Sequence, residues 1–264
     1  MESLFYSYQN AQIHCLRFGT GPTLMIALHG FGDRARMFAV LEPALTARYT
    51  FVAIDWPFHG QTVWPSHRFE KADLLAIIDL ILKKEGKTRF NLMGFSFGGR
   101  LAQAMLPDLI QQVDKLYLLS PDGIETKGMT MAVRTPIVVR KFLYKILEKP
   151  NWFLKILSFG RKIGVVPGMI NHFLAVNLSR PDRFQRTFGC WLSLDSFYLR
   201  RRNIKALLKR SQLPTAIYYG AQDEMIRFKT LQKMTEGLPN VQLYVLQEGH
   251  RLIGENLANR LSTD

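Results

Sequence analysis

Residues 94–99, with the sequence GFSFGG, constrain the fold of this chain more than any other segment. A G-x-S-x-G sequence is typical of a nucleophile elbow, a tight turn between a strand and a helix on which the serine has strained backbone angles. The turn brings neighbouring backbone very close, so small residues are needed two positions before the serine and two and three after it. Around Ser96 these positions hold Gly94, Gly98 and Gly99.

The residues on either side of the motif have the pattern that such a turn requires. Residues 89–93 (RFNLM) are short and mostly apolar, which predicts a buried strand. Residues 101–106 (LAQAML) predict a helix that ends near Pro107. The order of strand, turn and helix makes Ser96 a candidate nucleophile.

Strand-like and helix-like segments alternate along most of the chain. Helices are predicted over 36–47, 69–84 and 227–236, and strands over 13–17, as an edge strand, and over 23–28, 51–54, 115–119, 215–219 and 241–246. This alternation predicts an α/β fold with a mostly parallel sheet flanked by helices. Sites in such sheets lie at the carboxyl ends of the strands.

One stretch, residues 123–212, breaks the alternation and is largely helical in pattern. It holds 18 Lys or Arg and 4 Asp or Glu, whereas the rest of the chain holds 17 of each sign. The net charge of +14 therefore resides in this stretch alone. We predict a basic helical insertion over 123–212 within a core formed by 1–122 and 213–264.

Composition limits the class of protein. A chain of 264 residues with 47% hydrophobic residues is long enough for a large globular core. Two cysteines without metal-ligand spacing favour a reducing compartment, and we expect no metal or cofactor. We also expect no signal peptide and no membrane span, and therefore a cytoplasmic protein.

Partners for Ser96 are expected after the last two strands. A serine hydroxyl needs a base to take its proton, and a histidine base needs an acid to fix its tautomer. His250 follows the last strand and Asp223 the one before it, in the order nucleophile, acid, base. The other five histidines lie before the serine or in the insertion. Asp122 and Glu224 remain open as alternative acids.

Acyl transfer also needs hydrogen-bond donors for the oxyanion that forms at the carbonyl. The backbone N–H of Phe97, directly after the serine, is one candidate. The second is expected after an earlier strand, where residues 29–33 read HGFGD and glycines flank Phe31. We therefore predict that the Phe31 and Phe97 amides form the oxyanion hole.

Taken together, these motifs resemble those of the α/β-hydrolase family. The resemblance rests on HGFG at 29–32, DWPFHG at 55–60, GFSFG at 94–98, Asp223 and His250, and it covers nearly the whole chain. Phe58 stands where the family's D-x-P-G-H-G loop has a glycine. The resemblance implies that 123–212 forms a helical cap and that Ser96, His250 and Asp223 form a catalytic triad. A serine nucleophile argues against the dehalogenase and epoxide-hydrolase branches.

The resemblance implies a serine hydrolase of carboxylic esters, thioesters or activated C–C bonds. Three alternatives remain open: a perhydrolase, an acyltransferase, or a non-catalytic ligand receptor or interaction protein on a hydrolase scaffold. The basic insertion favours an anionic or lipid-like acyl substrate, with peripheral membrane contact as one possibility. A basic cluster is formed by Arg200, Arg201, Arg202, Lys205, Lys209 and Arg210, but no nucleic-acid-binding motif accompanies it, so no nucleic acid is expected. The sequence predicts no particular oligomeric state.

Overall fold

A computed structural model describes residues 1–123, 136–147, 155, 159–160, 162–163, 176, 180–198 and 200–263. The chain divides into two compact units. The first comprises Met1–Pro65, Glu70–Thr126 and Phe197–Asp264, and it contains every strand of the sheet described below. The second comprises Ser66–Phe69 and Lys127–Ser196.

The first unit is built on an eight-stranded sheet with the strand order β1-β2-β4-β3-β5-β6-β7-β8. Strands β1 and β2 pair antiparallel, as do β2 and β4, and all other neighbours are parallel. The α/β fold class with a mostly parallel sheet flanked by helices is confirmed. The strands are Glu2–Tyr8 (β1), Ala11–Phe18 (β2), Thr23–Leu28 (β3), Tyr49–Ile54 (β4), Phe90–Phe95 (β5), Val113–Leu119 (β6), Thr215–Gly220 (β7) and Val241–Leu246 (β8).

The prediction that residues 13–17 form an edge strand is wrong. Strand β2 lies between β1 and β4, and β1 is the edge. The sequence of β1, ESLFYSY, has exposed and half-buried positions throughout, because only one of its faces has a neighbour to pack against. It therefore lacks the buried apolar run that marks β3, β4, β5 and β7.

Helices flank the sheet in the first unit. They include Glu42–Leu45 (α1), Lys71–Glu85 (α2), Phe97–Leu109 (α3), Arg201–Ser211 (α4), Phe228–Thr235 (α5) and Glu255–Thr263 (α6). The single helix predicted over 36–47 is instead a 3-10 helix, Ala35–Leu41, followed by α1. Pro43, near the start of α1, has no N–H to continue the hydrogen-bond ladder of the preceding turn.

Helix α3 ends near Pro107 as predicted, since it continues only two residues beyond that proline. A proline close to the end of a helix removes one backbone hydrogen bond, and the final turn here forms without it.

The core is formed by side chains of alternate residues along the strands, which pack on the two faces of the sheet. On one face, pairs such as Met25 and Ala27 or Phe51 and Ala53 belong to one buried cluster with the segment 35–45 and helix α6. On strand β3, the intervening residues, such as Ile26, point to the opposite face because strand side chains alternate. Helix α3 contacts β3, β5 and β6. Burial of each large apolar side chain contributes about 1.5–3 kcal/mol, so the strand ends are held on a rigid base.

In the second unit, the described elements are helical. They include the helices Ile137–Leu147 and Pro181–Phe184, and an apolar cluster formed by Tyr144, Phe184, Phe188 and Leu192. Arg140 is buried, donates to the Trp191 carbonyl at 3.2 Å and pairs with Asp195, also at 3.2 Å. Helix α4, which carries much of the basic cluster at 200–210, belongs to the first unit.

Cys15 and Cys190 are both buried free thiols. In the described part of the chain, no helix has the length and apolar character needed to cross a bilayer. The same residues contain no group of three or more His, Cys, Asp or Glu side chains placed to hold a metal ion.

Candidate active site

Ser96 lies on the sharp turn between strand β5 and helix α3. Its φ of +49° and ψ of −116° place it in a backbone region that L-residues rarely adopt. The Ser96 amide donates to the Leu119 carbonyl at 2.9 Å, and its own carbonyl accepts from the amides of Gly99 and Asp122, also at 2.9 Å. These bonds to the end of β6 and the residues after it hold the strained turn in place.

The three glycines around the serine are required by close backbone approach. A Cβ at Gly94 would lie 2.6 Å from the Gly98 carbonyl oxygen, and one at Gly99 would lie 2.8 Å from Pro121. A Cβ at Gly98 would collide with the backbone carbonyl of Leu28, at the end of β3. The turn is therefore packed directly against the carboxyl ends of the neighbouring strands.

The structure brings Ser96, His250 and Asp223 into one hydrogen-bonded row. His250 Nε2 lies 3.0 Å from Ser96 Oγ, and His250 Nδ1 lies 2.8 Å from Asp223 Oδ2. Because a carboxylate only accepts, Nδ1 donates to Asp223 and leaves the Nε2 lone pair for the serine hydroxyl. The row runs across three strand ends, since Asp223 follows β7 and His250 follows β8.

The carboxyl of Asp223 is held ionised by its surroundings. Burial opposes its ionisation, but hydrogen bonds from the amide of Ile226, from His250 and from the amide of Met225 outweigh that effect, so its pKa lies below the ordinary value. Both amides bond Oδ1, at 2.9 and 2.8 Å. The buried Ser120 hydroxyl also lowers this pKa, although it does not reach the carboxylate at hydrogen-bond geometry.

The two alternative acids lie elsewhere. Asp122 forms a two-pronged pair with the buried Arg100, at 2.9 and 3.1 Å. Glu224 is exposed to solvent. Of the three candidate carboxylates, the structure places Asp223 against His250.

The segment after β3 forms a tight turn over residues 30–33. The Asp33 amide donates to the Gly30 carbonyl at 3.2 Å, and Gly32 has a φ of +79°, as the third residue of a type II turn requires. Phe31 is the second residue of that turn. Phe97 is the first residue of α3, a position whose N–H has no acceptor within the helix. The rings of Phe31 and Phe97 meet edge-on, with centroids 6.4 Å apart.

Several residues that sequence reasoning left without a role surround this turn. Asp33 pairs with Arg251, which ties the turn to the neighbour of His250. Burial raises the pKa of Asp33, although Arg251 and His250 oppose that shift. Burial lowers the pKa of His29 to about 4, so this ring is neutral, and its Nδ1 donates to the Gly30 carbonyl at 2.7 Å. The DWPFHG motif marked part of this neighbourhood, because its loop, residues 55–60, packs beside the turn.

The sequence of this chain is similar to those of known proteins. A family model described as alpha/beta hydrolase fold matches residues 23–160, just over half of the chain. An uncharacterized protein of Mycobacterium tuberculosis is 30% identical over 252 residues, spanning 88% of this chain and 71% of that protein. The 2-hydroxy-6-oxononadienedioate/2-hydroxy-6-oxononatrienedioate hydrolase of Cupriavidus pinatubonensis is 24% identical over 262 residues, spanning 90% of this chain and 84% of that enzyme.

Among solved structures, the chain is similar to the thioesterase domain from the curacin biosynthetic pathway. The TM-score is 0.71 at 19% identity, and the match covers all of this chain and 98% of that domain. The sheet order, the elbow at Ser96, the matched family and these relatives agree with one another. The chain belongs to the α/β-hydrolase fold family and is an enzyme of the hydrolase type.

Proposed function

We propose that this protein is a serine hydrolase that cleaves a carboxylic ester or thioester, or an activated C–C bond, through an acyl-enzyme. The observation that carries the proposal is the continuous row of hydrogen bonds from Asp223 through His250 to Ser96. A base within 3.0 Å of a strained, half-buried serine hydroxyl is the arrangement that nucleophilic catalysis requires.

In the proposed reaction, His250 Nε2 takes the Ser96 proton as Oγ attacks the substrate carbonyl. The carbonyl π electrons move onto oxygen, and the amides of Phe31 and Phe97 stabilise that oxyanion. His250 then gives the proton to the leaving group as the tetrahedral intermediate collapses. Water, deprotonated by His250, hydrolyses the acyl-enzyme by the same two steps. Asp223 keeps the imidazole in the required tautomer and stabilises its positive charge.

The substrate that we propose is a small acyl compound with an anionic feature. The charge distribution supports this, since the whole net charge of +14 lies in residues 123–212. A local excess of positive charge raises the local concentration of an anionic substrate. The relative from Cupriavidus pinatubonensis is named as a hydrolase of dioates. We propose that the predicted insertion 123–212, apart from its end with helix α4, which belongs to the first unit, forms the cap of the enzyme. The insertion follows β6 and precedes β7 along the chain, where the family carries such insertions.

The proposal is tested with Ser96→Ala and the ester p-nitrophenyl acetate. We expect Ser96→Ala to abolish enzymatic turnover and labelling by a fluorophosphonate, because no nucleophile remains. The matched control is Ser262→Ala, which changes an exposed hydroxyl on α6 and should leave both unchanged. Turnover that persists in Ser96→Ala would exclude the proposed nucleophile. Labelled wild-type protein without turnover of any ester, thioester or activated C–C substrate would favour a receptor.

A further inference from the structure

We infer that His59 is a positioning residue for the oxyanion hole, acting as a neutral hydrogen-bond acceptor that fixes the turn carrying the Phe31 amide. This inference rests on the proposed function, since it assigns a purpose to the Phe31 amide. It concerns a side chain that does not itself touch the reacting atoms.

The hydrogen bonds of His59 define a single tautomer. The Gly32 amide lies 3.0 Å from His59 Nε2, and the Pro57 carbonyl lies 3.0 Å from His59 Nδ1. An amide N–H only donates and a carbonyl only accepts. The proton of the ring is therefore on Nδ1, and Nε2 presents its lone pair to the turn.

The ring of His59 is held firmly in that orientation. The residue is 3% exposed, and its ring centroid lies 3.7 Å from that of Trp56 and 5.7 Å from that of Phe31, which meets it edge-on. The amide of His59 also donates to the Trp56 carbonyl at 3.1 Å. A buried acceptor fixed at both ends offers the Gly32 amide one direction only.

Other bonds from the same loop reach the neighbours of the turn but not its centre. Trp56 Nε1 donates to the His29 carbonyl at 3.0 Å, before the turn. Asp55 Oδ1 accepts from the Ala35 amide at 2.5 Å, after it. Between these two points the bond to His59 is the one that holds Gly32, the residue next to Phe31.

The central position of this bond matters because the turn is rich in glycine. Gly30 and Gly32 flank Phe31, and glycine has access to more backbone conformations than any other residue. Without the acceptor, the peptide plane between Phe31 and Gly32 loses the bond that orients it. The adjacent plane, which carries the Phe31 amide, is then held through the Gly30 carbonyl, which accepts from His29 Nδ1 and from the Asp33 amide, and its alignment on the Gly32 side is lost. An oxyanion donor contributes only when it is aligned before the reaction begins.

A pair of amide substitutions separates the acceptor of His59 from its bulk. In His59→Asn, the side-chain amide reaches the position of Nδ1 and donates to Pro57, but nothing accepts from Gly32. In His59→Gln, the side-chain oxygen reaches the position of Nε2 and restores the acceptor. Both variants lack the aromatic ring, so the loss of ring packing is common to the two.

We expect kcat for p-nitrophenyl acetate to fall about 10- to 100-fold in His59→Asn with KM changed less than about threefold, because losing an oxyanion donor outright costs about 10²- to 10³-fold. His59→Gln should recover at least tenfold of that loss. Thermal unfolding of both variants is measured alongside, and we expect both to unfold cooperatively as the wild-type protein does. Equal kcat in the two variants, whether high or low, would overturn the inference.

Ser96→Ala, assayed in parallel, separates the inference from the function on which it rests. If Ser96→Ala retains turnover, the proposed function fails whatever the His59 variants do. If Ser96→Ala is inactive while His59→Asn and His59→Gln behave alike, the proposed function stands and the inference about His59 fails.

Discussion

The replacement of Asp223 by asparagine gives the sharpest test of the proposed relay, because the structure dictates how the new side chain must orient. Asp223 Oδ1 accepts from two backbone amides, those of Met225 and Ile226, and Oδ2 accepts from His250 Nδ1. In the variant, one of these two positions must hold an NH₂ group, which donates and cannot accept.

The two backbone amides decide the orientation. If the asparagine oxygen stays with Met225 and Ile226, both amide bonds persist and the NH₂ group donates to His250 Nδ1. The imidazole proton then moves to Nε2, facing Ser96, where it blocks proton transfer from the serine hydroxyl. The opposite orientation keeps the active tautomer but leaves two amides facing NH₂.

The size of the effect follows from this competition. Leaving a buried donor unsatisfied costs about 1–3 kcal/mol. The bond to His250 forms in both orientations and two partly buried amides lose their acceptor in the active one, so the active orientation lies about 2–5 kcal/mol above the inactive one. At 25 °C that leaves between about 3% and 0.02% of the molecules active, a loss in kcat of about 30- to 5,000-fold. The corresponding aspartate-to-asparagine change in another Ser-His-Asp enzyme lowers kcat by about 10⁴-fold.

The assay compares kcat for p-nitrophenyl acetate in three amide variants that each replace one carboxylate. Glu224→Gln, next to Asp223 but exposed, is the control and should retain full activity. Asp122→Asn tests the alternative acid and should not reproduce the loss, because Asp122 pairs with Arg100. A loss below about tenfold in Asp223→Asn, or a larger loss in Asp122→Asn, would refute the reasoning.

Two further predictions concern pH and ionic strength. Because the pKa of His29 is about 4 in the folded protein and 6.5 ordinarily, the unfolded chain binds the extra proton between these values; stability is fully present above pH 6.5 and falls by up to about 3 kcal/mol as the pH drops towards 4. Urea unfolding at pH 7 and pH 5 should show a smaller loss of unfolding free energy between these two pH values in His29→Gln than in the wild-type protein. An equal loss in the two proteins would contradict the assignment of the pH dependence to His29. For the charge of the insertion, kcat/KM for a nitrophenyl ester ending in a carboxylate should fall several-fold between about 0.05 and 0.5 M NaCl, while that for a neutral ester of equal length stays constant; equal responses would remove charge from substrate selection.

The parts of the fold that were predictable from the sequence are those in which one local pattern dictates the structure. Strands β3 and β4 are buried along almost their whole length, so they appear as uninterrupted apolar runs. The glycines at 94, 98 and 99 mark positions where any side chain would collide with neighbouring atoms, so the tight turn could be predicted from them. Asp223 and His250 were identifiable because the chain order and the strand ends together restrict where a partner for Ser96 can lie.

The parts that escaped prediction depend on contacts between distant segments. Strand β1 is only half-buried, so its pattern becomes meaningful once Glu2 pairs with Arg17 and Tyr8 with Ala11. The role of His59 depends on a bond to Gly32, 27 positions away, and on which ring nitrogen carries a proton. A sequence motif locates a histidine along the chain, but it does not determine the tautomer. The tautomer is set by the groups that the fold brings to each ring nitrogen.

The loop 55–60 illustrates how such contacts override local preference. Phe58 has a φ of +70°, in the left-handed region that costs a bulky residue about 1–2 kcal/mol, at the position where the family pattern has glycine. Two residues later in this curved loop, Gly60 also has a positive φ. It lies so close to Asp55 that a Cβ at Gly60 would collide with the Asp55 carboxylate. The Gln61 amide then reaches Asp55 Oδ2 at 2.9 Å, and His59 faces Gly32. These two hydrogen bonds fix the path of the loop. Straightening the loop would break both bonds, so the strain at Phe58 is tolerated. The geometry of the candidate site therefore depends on this loop as well as on the sheet beneath it.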